Sequence, residues 1–269
     1  MRCVYCDLDG TLLGREGSLL HDGEGGVSLL GPRAIEACHR AGAELVIYSG
    51  RRQTQVREDA RLLGSSSYIF EVGCGLVIDG EEEYLTDGLQ PGASTIYAQI
   101  EERGAPALLL ERFRGRLEYH DPWHRDREVS HLFRGRVDVG EAGDLLRAEG
   151  MGDLRLVDNG AIHRRSPTLE VEQSHAYHLI PAGSSKGRAV ARHMQARGYA
   201  PEEVIGIGDS REDLETSAVV GTFWLVGNAL RRDPELREAI AGRNVRIAEG
   251  EHGAGVYEAV VTTLAERRA

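Results

Sequence analysis

Residues 3–13 read Cys-Val-Tyr-Cys-Asp-Leu-Asp-Gly-Thr-Leu-Leu, and two patterns overlap in them. Cys3 and Cys6 form a Cys-x-x-Cys, a spacing found in zinc and redox sites. Asp7 and Asp9 flank one residue and run into Gly10. The stretch before them is short, apolar and β-rich, and Asp-Gly ends it, so it reads as a buried strand. Side chains alternate along a strand, so residues three apart face opposite sides. Cys3 and Cys6 therefore cannot easily grip one metal. No second Cys/His pair completes a zinc site, and the pair does not open a helix as a redox motif would. They are expected to be core thiols. Residues two apart share a side, so Asp7 and Asp9 project together from the carboxyl end of the strand. Open α/β sheets bind ligands at that end. Two adjacent acids call for a cation or a shared proton. A plain Asp-Gly turn is the alternative reading of the same residues.

Working outward, "PRAIEACHRAG" (32–42) has helical spacing, with Pro32 in the first turn and Gly42 at the end. A second buried strand, "AELVIYSG" (43–50), a helix around 53–64 and a third strand, "YIFEV" (68–72), follow. Strands alternating with helices predict a Rossmann-like parallel sheet covered on both faces. The middle of the chain differs. "LVIDGEEEYL" (76–85), "GRLEYHD" (115–121) and "LRLVDNGAIHRR" (154–165) are more polar and alternating, with helices predicted near 94–104 and 141–150. That pattern predicts an inserted α+β domain over residues 80–179. The α/β style then returns, with a helix at 186–198, strands at 202–208 and 222–226, and a last amphipathic helix. Residues 1–79 and 180–269 are thus expected to make one α/β core around the insertion.

The chain has 269 residues, with 32 basic and 43 acidic side chains and a formal net charge of −11. This balance argues against a non-specific nucleic-acid binder. An anionic substrate remains compatible, because a few local cations or a metal reverse the local field. Four scattered cysteines do not make a secreted disulfide scaffold. An acidic residue interrupts the start before any signal-like apolar run, and no run reaches the roughly 18 apolar residues of a membrane span. A cytoplasmic chain acting away from membranes is the expectation.

Residues 7–13 resemble the first motif of the haloacid dehalogenase-like (HAD) phosphatases. The later motifs follow in the family's order. "ELVIYSGRR" offers Ser49, "GSSKGRAV" offers Lys186, and "VIGIGDSREDLE" offers Asp209 and Asp213. Each has a plainer reading: Ser49 as a helix cap, Lys186 as a solvated charge, Ser210-x-x-Asp213 as a capping box. Lys186, however, is the only lysine in the chain. The resemblance implies phosphoryl transfer through an aspartyl-phosphate. It makes Asp7 the nucleophile and Asp9 the general acid and base. Ser49 and Lys186 then hold the phosphoryl group, with Gly10, Gly50 and Arg51 around it. It also implies Mg²⁺ held by Asp7, Asp209 and the main-chain carbonyl of Asp9, with Asp213 steadying the ligands.

An insertion between the second and third motifs is, in this family, a C2-type cap that closes over the site. "AYHLIPAGSSKGRAV" is similar to the corresponding segment of mannosyl-3-phosphoglycerate phosphatases, and "REVSHLFRGR" loosely to a cap segment of the same relatives. Arg125, Arg127, His131 and Arg134 are therefore candidates for an anion clamp. Asn159 and His163 are further cap candidates. "EVGCG" resembles the family's Glu-Asn-Gly stretch, with Val72 in place of Asn. The expected substrate is a small phosphorylated metabolite, a sugar phosphate or a glycosyl-3-phosphoglycerate. A phosphomannomutase-like phosphotransferase and a silent binding module are the other readings. Intact Asp7, Asp9, Lys186 and Asp209 weigh against the last.

Overall fold

The computed structural model describes residues 1–162 and 166–267. The strand predicted from residues 3–7 is β1 (Cys3–Asp7), every residue of it buried. It lies inside an eight-stranded sheet with β2 (Glu44–Tyr48), β3 (Ser67–Phe70), β4 (Gly75–Ile78), β5 (Glu81–Tyr84), β10 (Val204–Gly208), β11 (Thr222–Leu225) and β12 (Val245–Ile247). The order is β12-β11-β10-β1-β2-β3-β4-β5. Neighbours from β12 to β3 run parallel, and β4 and β5 are antiparallel additions at one edge.

Both faces of this sheet are covered, as its apolar strands require. Cys6, Val4 and Ile47 face one layer, with α1 (Leu30–Arg40) and α9 (Gly253–Glu266) packed together on it. Cys3, Tyr5, Val46 and Tyr48 face the other, with α6 (Lys186–Arg197). The two thiols of the Cys-x-x-Cys thus belong to opposite layers, and all four cysteines are free and buried. α2 (Gln53–Leu63) links β2 to β3, and short helices α7 (Asn228–Arg232) and α8 (Leu236–Ala239) follow β11.

The expected boundary between residues 79 and 80 cuts a hairpin of the large sheet. Asp79 and Gly80 both have positive φ, 50° and 92°, and Ile78 pairs with Glu81. This is the two-residue Asp-Gly turn whose twist matches the flanking strands. "LVIDGEEEYL" is therefore two core strands, and the chain leaves the large sheet only after Tyr84.

The inserted segment carries α3 (Ile96–Glu102), α4 (Ala105–Arg112), β6 (Leu117–Tyr119), β7 (His131–Gly135), α5 (Val139–Ala148), β8 (Leu154–Ala161) and β9 (His175–Pro181). Its four strands form an antiparallel sheet in the order β6-β7-β9-β8. Phe133, Tyr177 and Leu179 pack under the helices with Ile100, Leu109 and Leu146. Strand alternation turns Leu132 and its partner His178 to the opposite face. His163 lies outside the described residues.

Candidate functional site

Asp7 ends β1, Ser49 directly follows β2, Lys186 opens α6 and Asp209 directly follows β10. Parallel strands bring these ends to one edge of the sheet. Gly10 leaves the strand end at φ +89°, and a Cβ there would stand 2.3 Å from Asp209 Oδ2. Only glycine allows this approach.

Lys186 sits at the centre. Ser185 caps α6 by accepting from the Arg188 N–H, which fixes where the helix starts. The Lys186 Nζ donates to Asp7 Oδ1 at 2.8 Å and to Asp213 Oδ1 at 2.6 Å, and Glu212 Oε2 lies 3.6 Å away. The ammonium stands 4.9 Å from the Tyr48 ring centre. Burial alone would lower the Lys186 pKa, but Asp213, Asp7 and Glu212 hold it well above its usual value. The lysine is therefore charged, and the surrounding carboxylates are its counter-ions. Burial pushes the Asp7 carboxyl up against the pull of Lys186. Burial and Asp213 push Asp209 up to about 6, and burial pushes Glu212 up to about 8.

Asp213 is committed to structure on its second oxygen. Its Oδ2 accepts from the Asp209 and Ser210 N–H groups at 3.1 and 3.0 Å and from Ser210 Oγ at 2.7 Å. Asp209 accepts from Thr11 Oγ1 at 3.2 Å and from Arg232 at 2.9 Å. Carboxylate oxygens of Asp7, Asp209 and Asp213 all lie within 4.8 Å of one another. Hard oxygen donors, with the Asp7 and Asp209 carboxyls pushed up by burial and neighbouring acids, suit a hard divalent cation. Cys3, Glu44 and His193 also lie within that span of one another. There, Arg197, Tyr199 and Ser67 already donate to Glu44, and the Tyr5 hydroxyl is 2.8 Å from His193.

Asp9 is the exposed member of the group, its side chain 54% accessible. Arg51 grips it with two hydrogen bonds, Nε to Oδ2 at 2.7 Å and Nη2 to Oδ1 at 2.6 Å. Asp59 of α2 anchors the same guanidinium at 2.9 Å. Ser49 is buried, and its Oγ accepts from the Arg51 N–H at 3.2 Å.

The expected anion clamp of the insertion does not form, because each member is engaged elsewhere. Arg125 is exposed and paired with Asp121, and Arg134 is paired with Glu118. His131 points to the helix-covered face, stacks on Tyr97 at 3.7 Å and lies 2.9 Å from the Tyr97 carbonyl. Arg127 is buried and crosses to the core, donating to the Gly50 carbonyl at 2.9 Å. Beside it, Glu71 reaches from the core into the insertion. It accepts from the Glu128, Val129 and Ser130 N–H groups and from Ser130 Oγ, at 2.6–3.2 Å. Glu71 opens the stretch that resembles the family's Glu-Asn-Gly, and His178 lies in the segment similar to mannosyl-3-phosphoglycerate phosphatases, but neither was singled out as a site residue. Asn159, a candidate from the start, lies against Gly50. A Cβ on Gly50 would stand 2.8 Å from Asn159 Nδ2 and 3.0 Å from His178 Nε2, so glycine lets the two sheets approach.

Burial pushes the His131 pKa down to about 4, from 6.5. Across that window the unfolded chain binds a proton that the folded state excludes. Stability should therefore rise with pH through the window and be lost as pH falls, by up to about 3 kcal/mol from this group. Urea unfolding at acid and neutral pH should reveal the slope, and His131→Phe should flatten it. An unchanged slope in that variant would refute the assignment.

The phosphoglycolate phosphatase of Halorubrum lacusprofundi is 31% identical over 234 residues, which cover 87% of this chain and 86% of that protein. The phosphoglycolate phosphatase of Archaeoglobus fulgidus is 27% identical over 262 residues, covering 96% and 95%. The sucrose-phosphatase structure from Synechocystis superposes with a TM-score of 0.68 at 18% identity, covering 98% of both chains. A HAD-superfamily phosphatase structure from Bacteroides thetaiotaomicron gives 0.66 at 15% identity, covering 98% of this chain and 95% of that one. The two structural likenesses speak for the fold. No family model matches the chain.

Proposed function

Because the chain belongs to the HAD phosphatases, phosphoric monoester hydrolases with an inserted cap, we propose that it hydrolyses a small phosphate ester through an aspartyl-phosphate on Asp7. The observation that carries this reading is the buried bridge from Asp7 through Lys186 to Asp213, 2.8 and 2.6 Å, beside Asp209.

Asp7 attacks phosphorus as the P–O bond to the leaving group breaks. With Oδ1 held by Lys186, we assign the attack to Oδ2. Asp9 gives its proton to the departing ester oxygen. Asp9 then takes a proton from water as the water oxygen attacks phosphorus, the Asp7–phosphorus bond breaks and inorganic phosphate leaves. Arg51 aims the Asp9 carboxylate through its two-pronged grip and must loosen that grip when Asp9 carries the proton. Ser49 and Lys186 meet the phosphoryl oxygens, with main-chain N–H groups near Gly10 and Gly50. Asp7, Asp209 and the Asp9 carbonyl would hold Mg²⁺, which when bound offsets the repulsion between a carboxylate and a phosphate dianion. Asp213 steadies the Asp209 turn.

In this reading residues 85–181 are the lid, which excludes water and contacts the leaving group. Two sources bound the substrate. The named relatives point to phosphoglycolate. The likeness of residues 176–190 to mannosyl-3-phosphoglycerate phosphatases points to a sugar phosphate or a glycosyl-3-phosphoglycerate. Four free cysteines fit the reducing cytoplasm.

Magnesium binding is tested without turnover. Adding Mg²⁺ should raise the melting temperature by several degrees, corresponding to about 1–3 kcal/mol at saturating metal. Asp209→Asn should abolish the shift. A full shift in that variant would place the ion elsewhere. Phosphate release from a panel of phosphorylated metabolites, with and without chelator, tests the reaction itself.

A further inference from the structure

Ser49, Gly50 and Arg51 follow β2, and each of their main-chain carbonyls is held by a different donor. The Ser49 carbonyl accepts from the Val72 N–H and the Arg51 carbonyl from the Glu71 N–H, both at 3.0 Å. These two donors belong to the core, in backbone with positive φ of 61° and 47°. That conformation is costly for a β-branched residue such as Val72, and it persists only where the surroundings impose it. The middle carbonyl, of Gly50, is held from the insertion, by Arg127 Nη2 at 2.9 Å.

Arg127 is buried and aimed by its other contacts. Its Nε donates to the Trp123 carbonyl at 3.2 Å and its Nη1 to Ser130 Oγ at 2.8 Å. Glu71 Oε2 stands 3.6 Å from Nη1, so the buried charge has a counter-ion. Two fixed nitrogens set the plane of a rigid fork, and the third, Nη2, is then directed at Gly50.

The bond to Gly50 is carried across one peptide unit. The Gly50 carbonyl and the Arg51 N–H share a plane and point in opposite directions. The Arg51 N–H donates to Ser49 Oγ at 3.2 Å. A serine hydroxyl has one proton and two lone pairs. With one lone pair taken by that N–H, Ser49 keeps its proton to give, which is what meeting a phosphoryl oxygen requires. Turning the Gly50–Arg51 peptide would withdraw the N–H and leave the hydroxyl free to rotate. Gly50, with no Cβ, offers little resistance to such a turn.

We propose that Arg127 is a positioning residue of the phosphoryl site: by holding the Gly50 carbonyl it orients the Ser49 hydroxyl, so the insertion completes the phosphate cradle without touching phosphate. This rests on the phosphatase reading given above. It adds a link from lid to cradle that does not depend on which leaving group the lid contacts.

The test is a double-mutant cycle between Arg127→Met and Ser49→Ala. It is read as kcat and KM for phosphate release from 4-nitrophenyl phosphate and from the metabolite ester that wild type hydrolyses fastest. Whichever of the two is turned over carries the cycle. Arg127→Met alone should lower kcat by about 10–100-fold, part of the weight of a phosphoryl-oxygen donor, and by the same factor on both esters. In the Ser49→Ala background the same change should cost less than about threefold. A packing defect would cost the same factor in both backgrounds. That additive result overturns the inference, as does an unchanged kcat. A loss confined to an ester with an anionic leaving group overturns it too, because Arg127 would then be gripping substrate. Arg127→Lys keeps the charge beside Glu71 but lacks the planar fork, so it should recover part of kcat. Where Arg127→Met does not fold, Arg127→Lys takes its place in the cycle under the same outcomes. A wild type that releases phosphate from no ester overturns the phosphatase reading and the positioning role with it. Turnover with an additive cycle overturns the positioning role alone.

Discussion

Asp7→Asn is expected to lower phosphate release by about 10⁴-fold or more, because an amide cannot form the aspartyl-phosphate. The same change should leave the fold intact. Asp7 is buried among Asp209, Asp213 and Glu212, and burial already pushes its carboxyl up. Replacing it by a neutral isostere removes one of several crowded acids, while Lys186 keeps Asp213 at 2.6 Å. The melting temperature should therefore equal or exceed that of wild type, as often happens when a strained catalytic group is removed. Circular dichroism melts and single-turnover phosphate release together check this. Full activity in the variant would eliminate Asp7 as the nucleophile.

Lys186→Met should damage both activity and stability. The loss of its charge at the phosphoryl group should cost about 10²–10³-fold in rate. Removing one partner from a buried ionic cluster leaves the others uncompensated, at about 3–5 kcal/mol. The pH dependence separates this from a packing defect. Without the ammonium, the carboxyls of Asp7 and Glu212 lose the interaction that favours their charged forms, so their folded pKa values rise further above the unfolded ones. A raised carboxyl contributes stability below its unfolded pKa, and that contribution is lost as pH rises through the folded pKa. The variant should thus unfold most readily at alkaline pH and recover towards wild type in acid. A deficit independent of pH would point to lost packing.

The meeting of Asp7, Ser49, Lys186 and Asp209 at one sheet edge was legible from local pattern because four strand ends or helix starts each carried a distinct residue. Alternation alone separated Cys3 from Cys6 and joined Asp7 to Asp9, and the two thiols do lie in opposite layers. The β4–β5 hairpin was missed although its turn signal, Asp79-Gly80, stands in the sequence. Its three consecutive glutamates, Glu81 to Glu83, look like a solvated surface strand, and an edge strand of a buried sheet is solvated in the same way. The contacts of the insertion were illegible for another reason. Arg125, His131 and Arg134 are chemically plausible anion ligands, but Asp121, Tyr97 and Glu118 engage them at short range. A sequence lists donors without saying which acceptor each will find. Glu71 illustrates the converse. It opens the EVGCG stretch, but its four donors come from residues 128–130, far along the chain.

The single lysine has a practical consequence. Lys186 is 1% accessible and locked among carboxylates, so in the folded protein an acylating reagent does not reach the one lysine side chain. Unfolding exposes it. Peptide mapping of acylation at Lys186, absent or present, then becomes a direct readout of whether this core is open, with no engineered label required.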